Sequence, residues 1–87
     1  MTTYRLDYEP QARKQLRAIK DRRLLVAIER ALAGLMDEPR PHGCLKLAGH
    51  KDHWRVRVGD WRIVYRIEDR RLVVVVVRVA PRSGAYG

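Results

Sequence analysis

The sequence predicts an α+β domain in which two N-terminal helices pack on one face of a four-stranded, mostly antiparallel sheet, in the order β-α-α-β-β-β. Three observations predict it. Two apolar stripes with helical period occupy the first forty residues, a period-2 alternation runs on both sides of Gly59-Asp60, and an unbroken apolar run extends from Leu72 to Val77. Eighty-seven residues supply one core but not two, so residues 1–87 are read as a single domain.

Tyr4, Leu6 and Tyr8 alternate with polar residues over Thr3 to Tyr8, which predicts a half-buried first strand. Pro10 suits the first turn of a helix, where its missing N–H leaves no bond unmade, and Ala12, Leu16 and Ile19 continue at helical spacing. Asp21 is placed to cap a second helix, whose stripe is Leu25, Ile28, Leu32, Leu35 and Met36, and Pro39 and Pro41 end it. From Pro39 to Asp52 the prolines, Gly43 and Gly49 predict a connecting loop pinned by Leu45 and Leu47. A β-hairpin follows, with Trp54, Val56 and Val58 on one side of the Gly59-Asp60 turn and Trp61, Ile63, Tyr65 and Ile67 on the other. After a turn near Asp69-Arg70, the run Leu72–Val77 predicts a strand covered on both faces, central in the sheet.

Nineteen Lys and Arg against ten Asp and Glu give a formal charge of +9, so a polyanion or an acidic protein is the expected partner. The excess is spread over the fold: residues 1–50 carry ten basic and six acidic groups, and residues 51–87 carry nine and four. Cys44 is the only cysteine, which excludes an internal disulfide and a thiolate zinc site. No stretch reaches the length of a membrane span, and the N-terminus lacks the apolar core of a signal peptide. These features predict a cytoplasmic protein that needs no metal or other cofactor and does not contact a membrane.

If Gly59-Asp60 is the turn, residue 58 faces 61, 57 faces 62, 56 faces 63 and 55 faces 64. Trp54, Val56, Val58, Trp61, Ile63 and Tyr65 then point to the helices, and His53, Arg55, Arg57, Arg62 and Arg66 share the other face. Arg57 opposite Arg62 is a like-charge pair, which a sequence shaped by stability alone avoids and which an anion relieves. Arginine holds phosphate oxygens through a planar fork and stacks on bases, so the face suits RNA. A solvated edge that resists sheet aggregation is the plainer alternative. The two tryptophans, Tyr65 and Cys44 are read as packing residues.

The run Trp54-Arg-Val-Arg-Val-Gly-Asp-Trp-Arg-Ile-Val-Tyr65, with the terminal Pro81-Arg-Ser-Gly-Ala-Tyr86, resembles the RelE branch of the RelE/ParE toxins, whose pattern is an aromatic-Arg-x-Arg-x-Gly-Asp-aromatic-Arg hairpin and a basic, tyrosine-bearing C-terminus. The resemblance covers nearly the whole chain. It implies a ribosome-dependent mRNA endoribonuclease that inhibits translation and is neutralised by a cognate antitoxin. It also implies site residues. Arg55 and Arg57 match the basic strand positions, Arg62 the arginine after the turn, and Arg82 and Tyr86 the C-terminal pair. In that reading Arg62 and Arg82 clamp the phosphate, Tyr86 stacks on a base or touches the attacking hydroxyl, and Lys46 and Arg66 add RNA contacts. Where many relatives carry a His before the C-terminal Arg, this chain has Pro81.

Such chemistry needs a proton acceptor, and neither arginine nor an unperturbed tyrosine supplies one near neutral pH. His50 and His53 are the candidates near the hairpin, with solvated loop histidines as the alternative; His42 has less claim. Two other functions stay open: a ParE-like inhibitor of DNA gyrase, and a non-catalytic RNA- or ribosome-binding module.

Overall fold

The computed structural model describes residues 3–82. Its elements are β1 (Arg5–Tyr8), α1 (Pro10–Arg17), α2 (Arg22–Asp37), β2 (Leu45–Lys46), β3 (His53–Val58), β4 (Trp61–Glu68) and β5 (Val73–Pro81). The sheet order is β1-β5-β4-β3-β2, with β1 parallel to β5 and the other pairs antiparallel. The α+β class and the helical layer are as expected, but the sheet has five strands instead of four. Leu45 and Lys46, assigned to the connecting loop, pair with Arg55 and Trp54 as a two-residue edge strand. Two residues are too few to show a period, so they carry no strand signal.

Each helix starts where its sequence says. The Asp21 carboxylate accepts from the Arg23 and Leu24 amides at 3.0 and 3.2 Å, filling two donors that a helix N-terminus leaves open. Pro10 occupies the first turn of α1. Ala12 from α1 and Ile28, Leu32 and Leu35 from α2 close on Ile63, Tyr65, Ile67, Val74, Val76 and Val79 of the sheet. Each such aliphatic side chain contributes roughly 1.5–3 kcal/mol on full burial. Trp54, Val56, Val58 and Trp61 pack against this cluster, as the hairpin alternation requires. Tyr65 is wholly buried and its hydroxyl donates to the Pro39 carbonyl at 2.8 Å. That bond draws the segment after α2 onto the sheet. Arg40 anchors the same segment, pairing with Asp69 at 2.8 Å and lying over the Trp54 ring.

The interior strand β5 holds the least expected feature. Along β4 and β5, Ile63 pairs with Val79 and Val64 with Arg78, but Tyr65 pairs with Val76, so Val77 is an extra residue in β5. This β-bulge changes the phase of the strand. Val74 and Val76 face the helices on one side of it, and Val79 does so on the other.

Beyond Val76, β1 has ended and the edge of β5 lacks a neighbouring strand. Helix α1 takes its place. The Gln11 side-chain amide donates to the Val77 carbonyl at 2.8 Å, and the Val79 amide donates to Gln15 Oε1 at 2.7 Å. The two glutamines stand one helical turn apart, so a single face of α1 satisfies backbone groups on both sides of residue 78.

Candidate nucleic-acid interface

On the face away from the helices, three rows across the sheet follow an end row of Arg5, Val73 and Glu68. Asp7, Val75, Arg66 and His53 form the first of the three, and Leu45, Arg55, Val64 and Arg78 the second. The third is Arg57, Arg62 and Ala80. Rows lie about 7 Å apart, two residues of strand rise.

The first row is electrically mixed. Arg66 pairs with Glu68 and lies 4.0 Å from Glu9, and Arg71 reaches Glu68 at 3.0 Å. The Arg66 guanidinium, first among the causes, holds the Glu68 carboxyl below the ordinary range. The stems of these long side chains help to cover Val73 and Val75, which are buried although they face away from the helices. The second and third rows contain no Asp or Glu, and Arg55, Arg57, Arg62 and Arg78 dominate them. The positive field is concentrated on one half of the face.

Arg62 is 8% exposed and is the single buried charged residue among those described. A cleft of about 220 Å³ opens beside it, lined by Gly43, Leu45, Arg55, Val56, Arg57 and Arg62. The loop before β2 therefore forms one wall. A guanidinium withdrawn from water, with Arg57 directly opposite, attracts an anion more strongly than a solvated one does. Arg57 is oriented by the turn that follows its strand, since its Nε donates to the Gly59 carbonyl at 3.2 Å. The tight turn needs Gly59, whose φ of 58° is the positive value that glycine adopts without strain.

The other sequence candidates fall in different places. The Arg82 amide donates to the Asp60 carbonyl at 2.7 Å, which puts this residue beside the turn at the Arg57–Arg62 end of the face. Lys46 pairs with Trp54 and so belongs to the helix side of the sheet, opposite the arginines. An edge strand's phase is set by its partner, so this side follows from the pairing with β3. Tyr86 lies outside the described residues. His53 is on the arginine face; its Nδ1 lies 3.0 Å from the Lys51 carbonyl and donates to it, so that in the neutral ring Nε2 is the acceptor. The His50 ring is 5.2 Å from that of His53. His42 lines a separate groove of about 400 Å³ between α2 and β3.

Arg78 is the member that sequence reading missed. Strict alternation from Val74 and Val76 puts residue 78 in the core, and only the extra residue at Val77 turns it outward. An arginine interrupting a run of valines was the available signal. No group of His, Cys, Asp or Glu suited to a metal occurs among the described residues. No helix among them is long and apolar enough to cross a membrane.

Residues 6–86 match the family model described as ParE toxin of type II toxin–antitoxin system, parDE. Toxin RelG of Mycobacterium tuberculosis is 33% identical over 86 residues, covering 95% of each chain. The fold is similar to that of the archaeal RelE–RelB complex from Pyrococcus horikoshii OT3, with a TM-score of 0.81 and 28% identity over 98% of this chain and 100% of that one. It is also similar to the toxin–antitoxin complex RelBE2 from M. tuberculosis, with a TM-score of 0.79 and 29% identity over 95% of each chain.

Proposed function

This chain belongs to the RelE/ParE superfamily of type II toxins, and from that premise we propose that it is a ribosome-dependent mRNA endoribonuclease held in check by a cognate antitoxin. The observation that carries the proposal is the arginine field of the second and third rows, with Arg62 buried at the edge of a cleft. Its chemistry fits the cleavage of an RNA phosphodiester. The ribose 2′-hydroxyl attacks the adjacent phosphorus, the bond to the 5′-oxygen of the next nucleotide breaks, and a 2′,3′-cyclic phosphate and a 5′-hydroxyl result.

Negative charge builds on the phosphate oxygens during that step, and guanidinium groups already in place stabilise it without reorganising. Arg62 and Arg82 act as the clamp; Arg55 and Arg57 hold the flanking backbone. Arg66, tied to Glu68 and Glu9, contributes less. Lys46 contacts RNA only if the strand wraps the sheet edge. Tyr86 stacks on a base beside the cut. The attacking hydroxyl loses its proton to a group other than arginine, and the departing 5′-oxygen takes up a proton to leave as the hydroxyl. The ribosome's part is to hold the codon in line for attack, an effect of positioning.

The antitoxin reading is supported by the antitoxin chains in the similar complexes. The charge of +9 favours an acidic segment, and the groove beside His42 offers it an apolar seat. The test is a purified translation reaction with the protein added and the mRNA ends mapped by primer extension. Codon-phased cuts that require ribosomes and vanish in Arg62→Ala are the expected result. Because the matching family model is that of ParE toxins, gyrase inhibition is the second reading. Loss of DNA supercoiling with intact mRNA establishes it instead.

A further inference from the structure

The arginine field accounts for phosphate and leaves open what receives a base. A cleft of about 270 Å³ lies on the same face, next to the second row. Its lining is mixed: Leu47, Val64 and Val77 are apolar, and Gln11 from α1, His50, His53 from β3 and Arg78 from β5 are polar. We propose that this cleft is a nucleobase subsite, receiving one base of the RNA strand whose phosphates lie on Arg57 and Arg62, with Arg78 as its recognition residue. The proposal rests on the RNA-cleaving reading and specifies where that strand runs.

Three observations converge on it. The bulge at Val77 turns Arg78 out of the core and into the cleft lining. Bulges re-aim side chains in this way beside functional sites. The backbone on each side of Arg78 is then fixed by α1, through Gln11 at Val77 and Gln15 at Val79. Backbone held by two such bonds fixes where the Arg78 side chain starts, which reduces the ordering cost of binding.

The donor and acceptor pattern suits a base edge. Arg78 only donates. Gln11 gives one amide N–H to the Val77 carbonyl and keeps a second N–H donor and its amide oxygen, while His53 in its neutral form keeps Nε2 as an acceptor. A base edge carries both donors and acceptors, whereas a phosphate carries acceptors alone. Leu47, Val64 and Val77 give a flat ring apolar side chains to lie against, and guanidinium stacks on base faces. The volume lies just below the roughly 300–1,000 Å³ of drug-sized ligand sites, as expected for one ring system. The rows give the spacing: Val64 stands one row, about 7 Å, from Arg62, close to the reach of one extended nucleotide.

The test reads base binding apart from cleavage. Imidazole signals of His50 and His53 are followed by NMR while nucleoside 5′-monophosphates, ribose 5-phosphate or an acidic peptide is added to the full chain. Shifts of the His53 signal with the nucleotides, at least tenfold weaker with ribose 5-phosphate, and lost in Arg78→Ala and in the cleft-filling variant Leu47→Trp, are expected. Equal response to ribose 5-phosphate, response to the peptide alone, or no response overturns the subsite. Unchanged near-ultraviolet circular dichroism shows that each variant is folded. In the translation assay the same variants are expected to raise the apparent KM about tenfold and to flatten the base preference at one position flanking the cut. A wild-type chain that binds nucleotides here but cuts no mRNA refutes the nuclease reading and leaves the subsite standing. A chain that cuts while both variants keep its KM and preference refutes the subsite alone.

Discussion

Replacing Arg62 by alanine separates a binding role from a structural one. The side chain is 8% exposed, and the register puts it opposite Arg57. Its removal relieves a like-charge pair worth roughly 0.2–1 kcal/mol, against a loss of packing by its buried stem. The two effects oppose each other, so unfolding stability is expected to change by about 1 kcal/mol or less. For RNA the balance is one-sided. A hydrogen bond to a charged group contributes about 1.5–3 kcal/mol, and deleting one preorganised donor at a developing oxyanion lowers rate by about 10²–10³-fold. Cleavage by Arg62→Ala is therefore expected to fall at least 10²-fold, with Arg62→Lys recovering part of it because charge returns without the fork.

The assay has two arms. Single-turnover cleavage on programmed ribosomes gives the rate. Binding of an oligonucleotide with a 2′-deoxy sugar at the cut, measured against salt, gives the phosphate count. Each phosphate contact contributes about −0.7 to the slope of log K against log salt for a single strand, so Arg62→Ala is expected to flatten that slope by about 0.7. Undiminished cleavage, or an unaltered slope with a melting temperature lowered by more than about 8 °C, would falsify the clamp assignment and make Arg62 a structural residue.

Three further outcomes test the frame that holds the site. Tyr65→Phe strands the buried Pro39 carbonyl and is expected to cost about 1–3 kcal/mol, read as a lower midpoint in urea with an unchanged m-value. Gln15→Ala removes the acceptor of the Val79 amide and is expected to speed hydrogen exchange there at least tenfold while β4 amides stay protected; uniform exchange across the sheet contradicts the clamp by α1. The Asp69 carboxyl is held below its ordinary range, first by the Arg40 hydrogen bonds and then by that of Tyr4. A depressed folded-state value means that its stabilisation is complete above the unfolded value near 3.9 and is lost as pH falls through the folded one. The acid limb of the stability curve is thus expected to be shallower in Asp69→Asn, and identical limbs dispose of the idea.

Much of this molecule is decided locally and was legible in the chain itself. Asp21 caps α2 because a carboxylate two and three residues ahead of open amides reaches them whatever the rest of the fold does. A two-residue turn fixes the register of the strands it joins, so Gly59-Asp60 determined that Arg55, Arg57 and Arg62 share a face and that the tryptophans do not. The family resemblance followed from the same hairpin. Tertiary structure decided the remainder. Strand phase is counted from a partner, and a two-residue strand such as β2 has no phase of its own, so only its pairing with β3 puts Lys46 on the helix side. The bulge at Val77 depends on glutamines more than sixty residues away, and no period within β5 announces it. Charge is likewise a property of neighbours: Arg66 looks like Arg62 in sequence, but Glu9 and Glu68 meet one and a cleft meets the other. The sequence thus determined which arginines exist on which hairpin face, and the packing of α1 and β5 decided where along that face the charge is available.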